Sequence, residues 1–187
     1  RTLIKGNSGT GRSTLIDLLV KFQIPNSGNI FIDKTNLSNI NTSYLRNKVG
    51  YVSQDVLLFN DSIINNIKLV NPNISEKEFE KLSEVTFCNE FIKDIPGDKD
   101  FVVGERGLNL SGGQRQRLGI LRALVKNPDI IILDESLNAI DEKMSLSILE
   151  NIFSEYRNST IIVISHSSFQ SDNFDTIINL DDLKSND

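Results

Sequence analysis

Short, nearly continuous apolar runs alternate along the chain with longer stretches in which apolar residues recur every three or four positions. The runs at 2–5, 29–33, 49–52, 130–133, 160–164 and 176–180 predict strands. Three of them are nearly all apolar, as strands covered on both faces should be. The helical period predicts helices over 13–22, 75–86, 111–126 and 141–155. In the first, Leu15, Leu18, Leu19 and Phe22 share a face; in the last, Met144, Ile148 and Ile152 do. Ser75 and Glu78 have capping-box spacing, and Pro128 marks where the helix over 111–126 must stop. Strands alternating with helices predict an α/β fold with a mainly parallel sheet. Residues 62–109 lack buried-strand character and read as a helical subdomain inserted in that core. The acidic tail after Leu180 is expected to fray.

Composition narrows the picture. The chain has 187 residues, enough for one domain with a sizeable core. Hydrophobic residues make up 39% and charged residues 24%, which suits a soluble globular chain. The net charge is −5 and no Lys/Arg-rich run occurs, so nucleic acid is not expected as a partner. The single cysteine, Cys88, allows no internal disulfide. No apolar run is long enough to cross a bilayer, and no signal peptide opens the chain. Because Arg1 stands almost inside a motif, the sequence reads as a fragment, with any membrane part outside it.

The candidate chemistry starts at that motif. Gly6, Asn7, Ser8, Gly9, Thr10, Gly11, Arg12 and Ser13 follow a strand and open a helix, the layout of a phosphate-binding P-loop. Its glycines let backbone N–H groups converge on phosphate oxygens, and the helix start adds free N–H groups and the positive dipole end. The Ser13 hydroxyl is placed for Mg²⁺, and Thr14 completes the binding set. Arg12 stands where the pattern has lysine. It keeps the charge, but its planar fork is longer than a compact ammonium. ATP binding is therefore expected to be weakened yet possible, and turnover to be slow or absent. Alone, the loop leaves a glycine-rich turn without a ligand as the lesser alternative.

A second group strengthens the phosphate reading. The apolar run at 130–133 ends in Asp134 and Glu135, and ligands of parallel sheets sit beyond the carboxyl ends of strands. Asp134 is placed to hold Mg²⁺ through water, and Glu135 to act as general base on an attacking water. Without the P-loop, a helix-capping acidic pair would be the simpler account. Gln54, after Tyr51-Val52-Ser53, could bridge Mg²⁺ and that water. His166 follows the strand over 160–164.

Leu110, Ser111, Gly112, Gly113, Gln114, Arg115, Gln116 and Arg117 resemble, at every position, the signature sequence of ATP-binding-cassette proteins. The resemblance covers nearly the whole chain and implies a P-loop NTPase core. It implies that His166 contacts the γ-phosphate, and that Ser111, Gly112, Gly113 and Gln114 face the nucleotide held by a second subunit's P-loop. Two domains would then sandwich two ATP molecules head to tail. Gly104-Glu105-Arg106-Gly107, together with Leu58-Phe59-Asn60-Asp61-Ser62-Ile63 and Asn66-Ile67, resembles exporter sequence. That points to a transmembrane domain as partner and to the cytoplasmic face of a membrane.

Several residues depart from the family pattern. Arg12 is the most serious. Asn138 stands where the dimer-contact loop usually has serine, although Ala139 and Asp141 are kept. Ser167-Ser168-Phe169 lack the usual basic residue, the last glycine-containing strand is missing, and the aromatic residue that stacks on adenine would lie before Arg1. The chain thus reads as a single cassette domain over 1–187, truncated at both ends. Its leading function is the ATPase of an exporter. The alternative is a degenerate module that binds ATP but hydrolyses it poorly. A soluble cassette ATPase of DNA repair or translation fits the acidic balance and the exporter-like loops less well.

Overall fold

The computed structural model describes residues 1–7, 9–165 and 173–184. Its main sheet is five-stranded and parallel throughout, built from β1 (Thr2–Lys5), β4 (Val49–Val52), β5 (Ile130–Asp134), β6 (Thr160–Ile164) and β7 (Thr176–Asn179) in the order β4-β5-β6-β1-β7. The two-fold period of the strands divides the core into two layers. Leu3, Val52, Ile131, Leu133, Ile161 and Val163 face one layer, while Ile4, Val49, Ile132 and Ile164 face the other. This double burial explains why the central strands read as unbroken apolar runs. Edge strand β7 pairs only with β1, and all four of its residues are exposed.

Helices cover both faces. On one, α1 (Arg12–Leu19) and α2 (Thr42–Lys48) supply Ile16 and Leu45. On the other lie α6 (Gly112–Leu124) and α7 (Glu142–Glu155), which bury Leu118, Leu121, Ile148 and Ile152. Between β4 and α6 run α3 (Ile63–Lys68), α4 (Glu76–Val85) and α5 (Cys88–Ile92). Phe79, Leu82, Phe91 and Ile67 of these helices join the same apolar cluster as Ile131 and Leu133. Each longer helix has a side-chain cap where the sequence offers one: Ser75 accepts from Glu78 N–H, Ser111 from Gln114 N–H and Asp141 from Met144 N–H.

Three expectations need correction, and one helix was missed. Only Phe31–Ile32 (β2) of the run at 29–33 is extended, and it pairs antiparallel with β3 (Thr35–Asn36) in a separate ribbon. Lys34 and the left-handed Asp33 turn the chain back too soon for a longer strand. Helix α1 stops at Leu19 rather than at residue 22. Its buried face is carried by Ile16, with Val20 just after it, while Phe22 is exposed and lies against the Arg46 guanidinium. Helix α2 was not foreseen; Asn41 caps it by accepting from Tyr44 N–H. The tail does not fray directly after Leu180. Leu180–Lys184 forms a short helix, α8, and its Asp181 carboxylate accepts hydrogen bonds from Asn7.

Candidate functional site

Three strand ends bring the site together. The loop after β1 turns into α1, Gln54 follows β4, and Asp134 and Glu135 close β5. Gly9, Gly11, Arg12, Ser13, Thr14, Gln54, Asp134 and Glu135 line one open cleft of about 300 Å³. These residues come from segments far apart in sequence, and they converge because β1 and β5 both flank β6 with their carboxyl ends on the same side.

The loop's backbone explains its glycines. Gly9 and Gly11 have φ of 80° and 101°, where an L side chain is strained. Gly6 has a different constraint: a Cβ there would lie 2.7 Å from Thr10 Oγ1. Thr10 folds the loop inward, donating its N–H and hydroxyl to Asn7 O at 3.2 and 2.9 Å. Helix α1 has no side-chain hydrogen bond at its N-cap, Gly11. Among the described residues no side chain caps its first turn, whose Arg12, Ser13 and Thr14 line the cleft, a helix start suited to phosphate oxygens. Asn7 is engaged elsewhere: its N–H and Nδ2 donate to the Asp181 carboxylate, Nδ2 at 3.1 Å. Ser8 and His166 lie outside the described residues.

At the other wall, Glu135 has a left-handed backbone (φ 50°) and donates its N–H to Ile164 O at 2.9 Å. Its side chain meets Arg12, with Nη1 2.5 Å from Oε1; the two side chains are only 11% and 10% exposed. Removing one partner of a pair so buried costs about 3–5 kcal/mol, because the other charge is stranded. Asn138 Nδ2 donates to the second oxygen, Oε2, at 3.2 Å. Beside it, Asp134 is half-buried, and its carboxyl is held above the usual range by burial and by the Glu135 charge, against the pull of Arg12. Tyr51 reaches Asp134 Oδ2 at 3.5 Å, and burial, with Asp134 and Asp17 nearby, pushes its phenol up to about 12.

The donor set fits a magnesium-bound triphosphate. Ser13 offers a hydroxyl, Gln54 an amide oxygen and Asp134 a carboxylate, all hard oxygen ligands on one cleft. Among the described residues no cluster of three His, Cys, Asp or Glu could hold a metal by itself. A cation here would thus share its shell with phosphate and water, as Mg²⁺ commonly does.

The signature residues sit elsewhere. Ser111 caps α6 in a full capping box, its Oγ accepting from Gln114 N–H at 3.2 Å and its N–H donating to Gln114 Oε1 at 2.8 Å. None of Ser111, Gly112, Gly113 and Gln114 lines the cleft. Arg115 is partly buried, donating to Leu110 O at 2.7 Å and packing on Gly107. Sequence reasoning missed the contacts of Tyr51, Asn138 and Asp181. Only Asn138 carried a signal, as a departure from the family pattern.

Known proteins resemble this chain over most of its length. A family model described as ABC transporter matches residues 1–138. The chain is 40% identical over 178 residues to the alpha-hemolysin translocation ATP-binding protein HlyB of Escherichia coli O157:H7, covering 95% of the chain and 25% of that protein. It is 40% identical to the ATP-dependent lipid A-core flippase of Photorhabdus laumondii, covering 95% of the chain and 31% of the flippase. The structure of a bacterial Atm1-family ABC exporter with ATP bound superposes with a TM-score of 0.91 at 38% identity, over 96% of this chain and 31% of that one. The chain thus spans less than a third of the length of each of these relatives.

Proposed function

The chain belongs to the ABC transporter family, and on that footing we propose that it is the ATP-binding and ATP-hydrolysing domain of an exporter. In this reading residues 1–187 form one cassette domain, with residues 62–109 as its helical subdomain. The observation that carries it is the single cleft on which Gly9, Gly11, Ser13, Gln54, Asp134 and Glu135 meet.

The α1 N-terminus and Gly9, Thr10, Gly11 and Thr14 bind the phosphate chain of ATP, with Gly6, Asn7 and Ser8 shaping the loop. Arg12 supplies a positive charge beside the β- and γ-phosphates. Mg²⁺, when bound, would neutralise charge on those oxygens, with Ser13, Gln54 and Asp134 to hold it. Gln54 orients a water in line with the γ-phosphorus. Glu135 takes that water's proton as its oxygen attacks; the bond from the γ-phosphorus to the β–γ bridging oxygen breaks, and ADP leaves with the electron pair. His166 contacts the γ-phosphate.

The signature residues complete the site of a second nucleotide-binding domain. This is supported by their position off the chain's own cleft and by the exposure of Ser111 at the start of α6. Two domains then close head to tail over two ATP molecules, and closure moves a transmembrane domain from the cytoplasmic face of a membrane. No helix among the described residues is long and apolar enough to cross a membrane itself. The relatives named for translocation and for flipping lipid support transport as the output. Nucleic acid plays no part in this reading.

A second reading is favoured by one contact. Because Arg12 is bound to Glu135, the module could bind ATP and hydrolyse it poorly. Magnesium-dependent phosphate release by the full-length protein tests both. Glu135→Gln should lower the rate by about a hundredfold or more if Glu135 is the base. A rate unchanged by Glu135→Gln removes the assignment, and a very low wild-type rate favours the second reading.

A further inference from the structure

Two residues that depart from the family pattern, Arg12 and Asn138, converge on one carboxylate. Arg12 comes from the first turn of α1 and Asn138 from the loop after β5. They take different oxygens of Glu135: Nη1 of Arg12 donates to Oε1 at 2.5 Å, and Nδ2 of Asn138 donates to Oε2 at 3.2 Å. The backbone of Glu135 is itself fixed, in the left-handed region and tied to Ile164. The side chain is held as well, with a described partner at each oxygen. Arg12 also lines the cleft with Ser13 and Thr14, where the phosphate chain would lie.

We propose that Arg12 and Asn138 form a two-point clamp on Glu135, and that the phosphate chain of a nucleoside triphosphate opens it by drawing Arg12 away. The inference rests on reading the cleft as a triphosphate site. The clamp makes Glu135 a competitor of the nucleotide. A planar guanidinium fork satisfies carboxylate and phosphate alike, so the carboxylate must give up its grip before the phosphate gains the full one. Asn138 acts only through Glu135. It is a positioning residue that slows the carboxylate's swing toward water and leaves nucleotide binding alone.

The two arms of the test use the full-length protein. The first measures ATP affinity in EDTA, where no turnover occurs, for Glu135→Gln in the Arg12 background and in the Arg12→Lys background. The clamp predicts that Glu135→Gln tightens ATP about threefold or more with Arg12 present and has a clearly smaller effect with Lys, since residues in contact couple. The second arm measures kcat and KM of Asn138→Ser. The clamp predicts a kcat about threefold higher with KM unchanged, the split expected of a group that acts only on the chemical step. An equal effect of Glu135→Gln in both backgrounds, or an unchanged kcat for Asn138→Ser, overturns the clamp while the ATPase reading survives. Failure of every variant and the wild type to bind ATP overturns both.

Discussion

Gln116 and Ala139 join the two halves of the proposed machinery: Ala139 donates its N–H to Gln116 Oε1 at 2.9 Å. Gln116 lies in the second turn of α6, within the signature, and is 7% exposed. Ala139 lies in the loop that leaves Glu135. The approach is close enough that a Cβ on Gly113 would stand 2.9 Å from Ala139 O. The start of α6 and the loop after β5 are thus one packed unit, and a shift of either moves the other.

Gln116→Ala should therefore cost about 0.5–1.5 kcal/mol, the net worth of the hydrogen bond to the Ala139 N–H. In a domain of this size that corresponds to a melting midpoint lower by about 1–6 °C. Gln116→Glu keeps an acceptor but places a carboxylate in a buried position, so it should cost at least as much. A calorimetric scan of both variants decides it; equal midpoints for Gln116→Ala and the wild type would mean the contact contributes nothing.

Ligand linkage gives a second prediction. If the cleft holds nucleotide in the native state only, Mg-ATP at a hundred times its Kd should stabilise the fold by about 2.7 kcal/mol. The midpoint should then rise by about 5–11 °C. AMP, which lacks the phosphates that the loop would grip, should do much less. A midpoint that ignores Mg-ATP would remove the nucleotide assignment.

Much of the frame was legible because each strand carries its own signal. β1, β4 and β6 have the boundaries that their apolar runs predict, and β5 extends one residue further to include Asp134. The cleft's composition was legible for a similar reason, since loop glycines, Ser13, Gln54, Asp134 and Glu135 all mark strand ends. Side-chain pairing was not. Nothing local in the sequence says that Arg12 meets a carboxylate 123 positions away, or that Asn138 turns back onto Glu135 rather than toward solvent. Phe22 failed for another reason: the helical period ran past the true end of α1, where Lys21 takes a positive φ that ends the helix. Asp181 was hidden because an acidic tail carries no periodicity, and its partner is the backbone and amide of Asn7.

Removing the proposed base should also reveal the assembly. Glu135→Gln leaves a group of the same shape that cannot accept the proton, so ATP should persist between two closed domains. Size-exclusion chromatography with Mg-ATP should show a dimer of the cassette that wild-type protein shows only transiently. In the full-length protein, chemical cross-linking between Ser111→Cys and Ser13→Cys of paired domains would report the same closure, because the proposed head-to-tail arrangement brings signature and P-loop together. Persistent monomers, with no such cross-link, would set aside the sandwich.

Arg12→Lys brings the chain back to the family pattern at the one position where catalysis is most exposed to geometry. The fork now bound to Glu135 would become a compact ammonium, which places a point charge between phosphates more readily than it fills a planar carboxylate contact. A displacement of about 1 Å at reacting groups can change rates about a hundredfold, so steady-state hydrolysis should rise at least about tenfold. The fold should lose little, because a lysine still offers Glu135 a positive partner and leaves no stranded charge. The comparison needs both numbers. A faster rate with an unchanged melting midpoint marks Arg12 as a brake on chemistry. Equal rates show that the arginine serves as well as lysine, and they take away the main support for a poorly hydrolysing module.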